Sequence, residues 1–174
     1  MMRASCMTVL CASGLACTPA PREATALVDI SGPWTEVLAE EDPFAGRRPD
    51  EVSCGPLGWY LEVNVLEVNT EDCNYLAISQ PMLSDVRAGE WVSMLYWHAA
   101  LFNETPAVGW VGVALDGVPV AEFEVGIPAK PASYEPNWEA LDDVPEGAPL
   151  SLHLTNHGSN TWNVARVERL PTEP

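Results

Sequence analysis

From residue 59 onward the chain is built of short segments in which apolar and polar residues alternate. In "WYLEVNVLEV", Leu61, Val63 and Val65 occupy every second position before the pattern shifts near Leu66. A period of two is typical of a β-strand with one buried face. No long helical period follows residue 45, so the pattern predicts β-structure throughout this part.

Turn signals separate these segments. Asp116-Gly117 lies between two apolar runs and predicts a two-residue hairpin, because both turn positions of such a hairpin need positive φ. "HGSN", residues 157–160, contains glycine and asparagine, which tolerate left-handed backbone. We expect it to pair the strands 150–156 and 161–170 as a second hairpin. The run 91–102 is apolar on both faces, which predicts a central strand between two layers.

The segment before these strands has a different character. "WTEVLAEED", Trp34 to Asp42, is bracketed by Pro33 and Pro43 and predicts a short helix. A proline-containing loop follows, so we expect a helix and loop lead-in over residues 34–56. Residues 57–171 are then predicted to form one all-β domain, an antiparallel β-sandwich of the jelly-roll type.

Composition narrows the class of partner. The chain has 174 residues, of which 47% are hydrophobic, enough for one domain with a real core. Its formal net charge of −17 repels phosphate groups, so nucleic-acid binding is excluded.

The N-terminus carries an export signal. Arg3 precedes an uncharged segment that is too short to cross a bilayer and suits a signal peptide over residues 1–16. The segment ends in "GLAC", which resembles the lipobox of bacterial lipoproteins, although leucine is usual in place of Gly14. The resemblance implies lipid on Cys17, and Thr18 after it favours the outer membrane. Residues 17–33, rich in proline and alanine, are predicted to be the tether. We therefore expect an exported envelope protein, attached to the membrane through its lipid.

The five cysteines support export. Cys6 and Cys11 leave with the signal and Cys17 takes the lipid, which leaves Cys54 and Cys73. Two remaining cysteines in an exported chain are usually paired, so we predict a Cys54–Cys73 disulfide. Two buried free thiols are the alternative.

The common catalytic signatures are absent, including G-x-S-x-G and H-E-x-x-H. In "LSLHLTNH" a period of two places the leucines in the core and His153 on the opposite face. An extended strand separates His153 from His157 by about 13 Å, too far for one metal ion. We therefore interpret His153 as a surface residue and His157 as a side chain that braces the turn. His98, next to Trp97, is interpreted as a hydrogen-bonded core group.

Three tryptophans are candidates for ligand binding. Trp110 is predicted to face outward over small neighbours, as a stacking platform or as the contact of a second layer. Trp138 lies in a proline-rich loop and is predicted to be exposed. Trp162 with Asn160 and His157 at a strand end suits either a sugar or a structural plug, and we favour the plug. By contrast, one side of the predicted strand 91–102 carries Trp91, Leu95 and Trp97, and we predict that this side faces the core.

The turn "DDVPEG" offers three carboxylates to a metal ion, those of Asp142, Asp143 and Glu146. Loop carboxylates are ligands that calcium prefers, but the spaced D-x-D-x-D-G pattern is missing. We interpret the three residues as a solvated turn, with a structural calcium ion as the alternative. No other metal or cofactor is expected.

The β-only stretch 61–170, the long strand with Trp91 and Trp97, and the expected closing hairpin "NHGSNTW" resemble jelly rolls of the galactose-binding and carbohydrate-binding-module kind. The resemblance implies sugar binding. Together with the lipobox and the missing catalytic signatures, it leads us to expect a non-enzymatic, lipid-anchored module that binds carbohydrate or another envelope component. The alternatives are a carboxylate-based hydrolase on the same fold and a scaffold without a small ligand.

Overall fold

The computed structural model describes residues 22–171, and these form two antiparallel β-sheets packed face to face. The strands in chain order are β1 (Thr25–Ala26), β2 (Thr35–Glu36), β3 (Trp59–Leu61), β4 (Leu66–Asn69), β5 (Tyr75–Pro81), β6 (Trp91–His98), β7 (Ala107–Leu115), β8 (Val118–Ile127), β9 (Ala132–Tyr134), β10 (Asn137–Glu139), β11 (Pro149–Thr155) and β12 (Thr161–Arg169).

The seven-stranded sheet has the order β10-β6-β12-β4-β3, with β1 beside β12 and β9 beside β6. The five-stranded sheet has the order β2-β5-β11-β7-β8. Neighbours along the chain repeatedly lie in different sheets, as in a jelly roll. The predicted all-β antiparallel sandwich is confirmed.

The core forms where the inner faces of the two sheets meet. On β11, Leu150, Leu152 and Leu154 are buried, as the alternation predicted, and Leu152 lies opposite Val113 of β7. On β6 the core residues are those at the even positions, Val92, Met94, Tyr96 and His98.

The predicted orientation of β6 is therefore wrong. Trp91, Leu95 and Trp97 lie on the outer face of the seven-stranded sheet, and Trp91 is 47% exposed. Both faces of this strand are apolar, so alternation alone does not decide which face meets the other sheet. The polar Ser93 lies on the same outer face of β6 as these three residues, because it is also at an odd position of the strand.

The N-terminal part of the described chain belongs to the sandwich. Leu27, Val28 and Ile30 are buried in the core, and β1 pairs with β12, so the predicted tether is wrong for this stretch. The predicted helix is replaced by β2, which pairs with β5, and by a single 3₁₀ turn at Ala39–Glu41. Backbone pairing with the sheet edge and burial of Trp34 outweigh the local helix signals.

The two predicted hairpins have different outcomes. Asp116 and Gly117 adopt φ of 49° and 74° and join the paired strands β7 and β8, as predicted. The turn at 157–160 instead carries the chain from β11 in one sheet to β12 in the other, so the second hairpin is wrong. Both edges of β11 are already paired, with β5 and β7, which leaves no edge for β12.

The predicted disulfide is confirmed. Cys54 and Cys73 are bonded, and the bond ties the loop that ends at residue 56 to the start of β5. Cys17 lies outside the described residues. Within residues 22–171 no helix is both long and apolar enough to cross a membrane.

Candidate functional site

The outer face of the seven-stranded sheet carries a row of polar and aromatic side chains at matched positions on neighbouring strands. Trp97 of β6 lies opposite Ser133 of β9 on one side and Asn163 of β12 on the other. Asn163 lies opposite Glu67 of β4, which in turn lies opposite Tyr60 of β3. We call these five residues the aromatic row. At the usual strand spacing the row is about 19 Å long.

The strand period places the row on the outer face. Each of its three central residues is flanked along its strand by two core residues: Tyr96 and His98 around Trp97, Trp162 and Val164 around Asn163, and Leu66 and Val68 around Glu67. Because successive side chains alternate between faces, packing of the flanking residues turns the row outward. The core thus holds the row in a fixed register.

Asn163 is the central group of the row. It is 9% exposed, yet its side-chain amide makes no hydrogen bond to any residue in the range 22–171. Beside it, Trp97 is half-buried, and the hydroxyl of the 41% exposed Tyr60 donates to the Glu67 carboxylate. That bond raises the pKa of Tyr60. A nearly buried amide with free donors and a free acceptor, next to an indole ring and a carboxylate, is suited to a ligand with both apolar and hydroxyl surface.

The charge around the row is negative. Arg166, opposite Leu95, is ion-paired with Glu135 and lies 3.1 Å from Glu168, so its charge is already compensated. Glu67 bonds only to the neutral Tyr60 within the described residues. This face therefore disfavours anionic ligands.

Trp110 points away from the core, as predicted, but it is only 1% exposed. Phe44 packs edge-on against it at 5.0 Å between ring centroids, and the Arg47 guanidinium lies 5.2 Å from its ring. The second-layer alternative is confirmed and the open stacking platform is wrong. We call the covering segment, residues 37–48, the strap.

Trp138 is 9% exposed, so the prediction that it is exposed is wrong. It lies opposite Val92 in the pairing of β10 with β6, which turns its ring into the core near Phe123. The surrounding prolines concealed this short strand.

Trp162 and Asn160 have the structural roles that we favoured. Trp162 is 1% exposed, and Asn160 accepts a 2.7 Å hydrogen bond from the Phe102 amide. His157 is exposed, and its backbone carbonyl accepts hydrogen bonds from the side-chain amides of Asn156 and Asn160. Among the described residues the amides brace the corner, so the prediction that the His157 side chain does so is wrong.

Of the five predicted ligand-binding residues, the structure brings two to one cavity. Trp110 and His157 both line a cleft of about 830 Å³ at the loop end of the five-stranded sheet, together with Asn103, Glu124 and Thr155. Trp138, Asn160 and Trp162 do not line it.

His153 is fully buried, so its interpretation as a surface residue is wrong. It lies on the outer face of its sheet, as the alternation predicts, but the strap covers it. Burial lowers its pKa to about 4, against the opposing effect of the nearby Asp42 charge. Burial also acts to raise the pKa of Asp42, but hydrogen bonds from Arg48, the Phe44 amide and Tyr75 outweigh it, and the net shift is downward.

The structure agrees with the interpretations of His98 as a core group and of the acidic turn at 142–146 as solvated. His98 is buried, with Nδ1 at 2.6 Å from the Ala99 carbonyl and Nε2 at 3.2 Å from the Tyr134 hydroxyl, so it is a hydrogen-bonded core group. Asp142, Asp143 and Glu146 are exposed, and Asp143 accepts a hydrogen bond from the Ala88 amide. No group of three metal-binding side chains forms within residues 22–171.

Comparison with known proteins finds low-level structural similarity only. No family profile and no curated protein matches the sequence. A CBM4 structure aligns over 83% of this chain and 97% of its own, with 13% identity and a TM-score of 0.45. TmCBM61 in complex with β-1,4-galactotriose aligns over 70% and 88%, with 11% identity and a TM-score of 0.42. The Agl-KA catalytic domain aligns over 71% and 25%, with 12% identity and a TM-score of 0.40. Values this low assign neither a family nor a ligand.

Sequence reasoning missed most of the aromatic row. Trp97 was assigned to the core, and Tyr60, Glu67 and Asn163 were not singled out. One signal in β6 indicated that Trp97 faces outward: the polar Ser93 lies on the same side of the strand as Trp97. The alignment of the row across strands had no sequence signal, since it depends on pairing between distant segments.

Proposed function

We propose that this protein is a lipid-anchored, carbohydrate-binding β-sandwich of the bacterial cell envelope, and that the aromatic row is its glycan-binding surface. The observation that supports this most directly is the Asn163 amide, which is held between Trp97 and Glu67 and has no hydrogen-bond partner among the residues that the structure describes. Indole rings pack against the apolar C–H surface of a sugar, while amides and carboxylates bind its hydroxyl groups.

The shape and charge of the surface favour a class of glycan. The row runs about 19 Å across the sheet and suits several units of a chain better than one enclosed sugar. The Glu67 carboxylate in the row and the net charge of −17 disfavour uronic acids and phosphate-bearing polymers. Neutral polysaccharides are therefore the proposed ligands.

Affinity electrophoresis and calorimetry against neutral glucans, galactans and mannans, with polyuronates alongside, test the proposal. Trp97→Ala is expected to weaken binding by about 30-fold or more, as removal of a central aromatic contact of about 2 kcal/mol does. Asn163→Ala should weaken it as well. Phe102→Ala is the matched control, because Phe102 is 66% exposed and lies outside the row.

Two results would contradict the assignment. Unchanged affinity in folded Trp97→Ala protein would mean that the row is not the binding surface. Binding of polyuronates in preference to every neutral glycan would show that the charge argument is wrong.

The membrane anchor is proposed from "GLAC" and has its own test. Cys17→Ser should move the protein from the membrane fraction to the soluble envelope fraction. Leu27, ten residues after Cys17, is already in the core, so the sandwich would lie within about 35 Å of the lipid. A processed Cys17→Ser protein that stays in the membrane fraction would show that the anchor is elsewhere.

A further inference from the structure

A second group of chemically active side chains lies on the outer face of the five-stranded sheet, under the strap. Ser151 and His153 are two residues apart on β11 and point to the same side. The Ser151 hydroxyl oxygen is 3.1 Å from His153 Nε2. On the other side of the ring, Asp42 Oδ1 of the strap is 3.6 Å from Nδ1.

The hydrogen bonds of Tyr75 define the tautomer of this histidine. Its hydroxyl donates its one proton to Asp42 Oδ2 at 2.9 Å, so toward His153 Nδ1, 3.3 Å away, it acts only as an acceptor. Nδ1 therefore carries the hydrogen of the neutral ring. The Nε2 lone pair is left to accept the proton of the Ser151 hydroxyl.

We propose that Ser151, His153 and Asp42 form a serine hydrolase centre, with Ser151 as nucleophile, His153 as general base and Asp42 as the group that orients the base. Such centres are recognised by geometry and not by sequence order. A nucleophile within hydrogen-bond reach of a base, which a third group holds in place, is the diagnostic arrangement.

Ser151 has access to solvent through a cleft. It lines a cavity of about 370 Å³ together with Thr35 and Ser79, and Ser79 lies directly opposite Ser151 in the β5–β11 register. The Thr35 hydroxyl donates to the Ser79 carbonyl at 3.2 Å, and its oxygen lies 3.3 Å from Ser79 Oγ. The Ser79 hydroxyl can rotate to donate to a substrate oxygen, which makes it the candidate donor for the oxyanion of the transition state.

The cleft also restricts the substrate. Glu36, Glu41 and Asp116 line it, so negatively charged acyl groups are disfavoured. The volume and charge together favour a short, uncharged acyl ester. The chain's own groups are sufficient for the reaction with water as the only co-reactant.

Ser151 Oγ attacks the ester carbonyl carbon while its proton passes to His153 Nε2. The bond from the carbonyl carbon to the alcohol oxygen breaks, and the alcohol leaves with that proton. Water then attacks the acyl-serine in the same way, which releases the acid and restores the Ser151 hydroxyl.

Labelling with a small uncharged alkyl fluorophosphonate, in which Ser151 Oγ displaces fluoride from phosphorus, tests the centre on the folded protein. Intact mass and peptide mapping should show one adduct, on Ser151. Ser151→Ala should remove the adduct, and Ser53→Ala, which changes an exposed serine outside the cleft, should keep it.

His153→Gln should slow labelling by about 10²- to 10⁴-fold, as loss of a general base does. Asp42→Asn tests the orienting role. In wild-type protein the labelling rate should fall as the pH drops toward 4, because His153 then gains a proton and no longer acts as a base. The titratable groups that face the His153 ring are Asp42, Arg48 and Tyr75. Circular dichroism establishes that each variant is folded.

Absence of an adduct on Ser151 in folded wild-type protein would overturn the proposal, and so would equal labelling of Ser151 in folded His153→Gln. Ser151→Ala should leave glycan binding unchanged, because the aromatic row is on the other sheet. Failure of this centre and failure of the glycan proposal are thus separate results.

Discussion

The burial of His153 predicts that the protein loses stability in mild acid. In the unfolded chain its pKa is 6.5, whereas in the folded protein burial lowers the pKa to about 4. Between these values the unfolded state binds a proton that the folded state does not, so the free energy of unfolding falls as the pH decreases through this window. The difference between these two pKa values lowers the free energy of unfolding by about 2 kcal/mol from pH 7 to pH 5.

Asp42 does not contribute in the same window. Its pKa is lowered from 3.8, so the stability that it provides is retained above that value and is lost only in stronger acid. The loss between pH 7 and pH 5 is therefore assigned to the histidine. His153→Gln has no titrating ring and should reduce the loss by about 2 kcal/mol relative to wild type.

Urea unfolding followed by tryptophan fluorescence, at pH 7 and pH 5, measures the difference. His157→Gln is the matched control, because this histidine is exposed and should leave the pH dependence of the wild type intact. If His153→Gln loses as much stability as wild type over this range, the histidine is not the group responsible and the buried environment assigned to it is wrong.

Three further changes test the packing. Leu152→Ala should lower the free energy of unfolding by about 2–5 kcal/mol in urea titration, as truncation of a buried leucine does; a loss well below 1 kcal/mol would contradict its place in the core. Gly158→Ala should lower the free energy of unfolding by about 2–3 kcal/mol, because φ is 89° at this residue and the added Cβ would lie 2.3 Å from the Phe102 carbonyl oxygen. Gly126→Ala is the control, because a Cβ at residue 126 meets no atom within 4 Å. Reduction of Cys54–Cys73, separated by 19 residues, should cost about 3 kcal/mol, and an unchanged unfolding midpoint would count against this estimate.

Local signals were sufficient for several parts of the structure. Alternation along β11 predicted that its leucines face the core, because a period of two is a property of one strand. Asp116-Gly117 predicted its hairpin, since positive φ at two adjacent positions is a local requirement. The expectation of export and the number of remaining cysteines predicted the disulfide. The Cys17 anchor stays a prediction.

Only the tertiary structure decided what covers each outer face. The period of β11 placed His153 and Ser151 on the outer face of the sheet, but the strap that buries them comes from a segment more than one hundred residues earlier in the chain. For Trp110 the sequence left an open stacking platform and a second-layer contact as alternatives, and Phe44 of the strap decides between them. Trp97 was assigned to the core because both faces of β6 are apolar, and the choice between them depends on which face meets the second sheet.

The two candidate sites depend on the same distinction. Sequence determines which residues share a face of one strand, because this follows from backbone geometry within a few residues. The aromatic row joins Tyr60 to Trp97 through strands that are adjacent only after folding, and the hydrolase centre joins Asp42 to His153 across the sheet surface. Both contacts result from strand order and from packing of distant segments, which are properties of the whole fold and not of any local pattern.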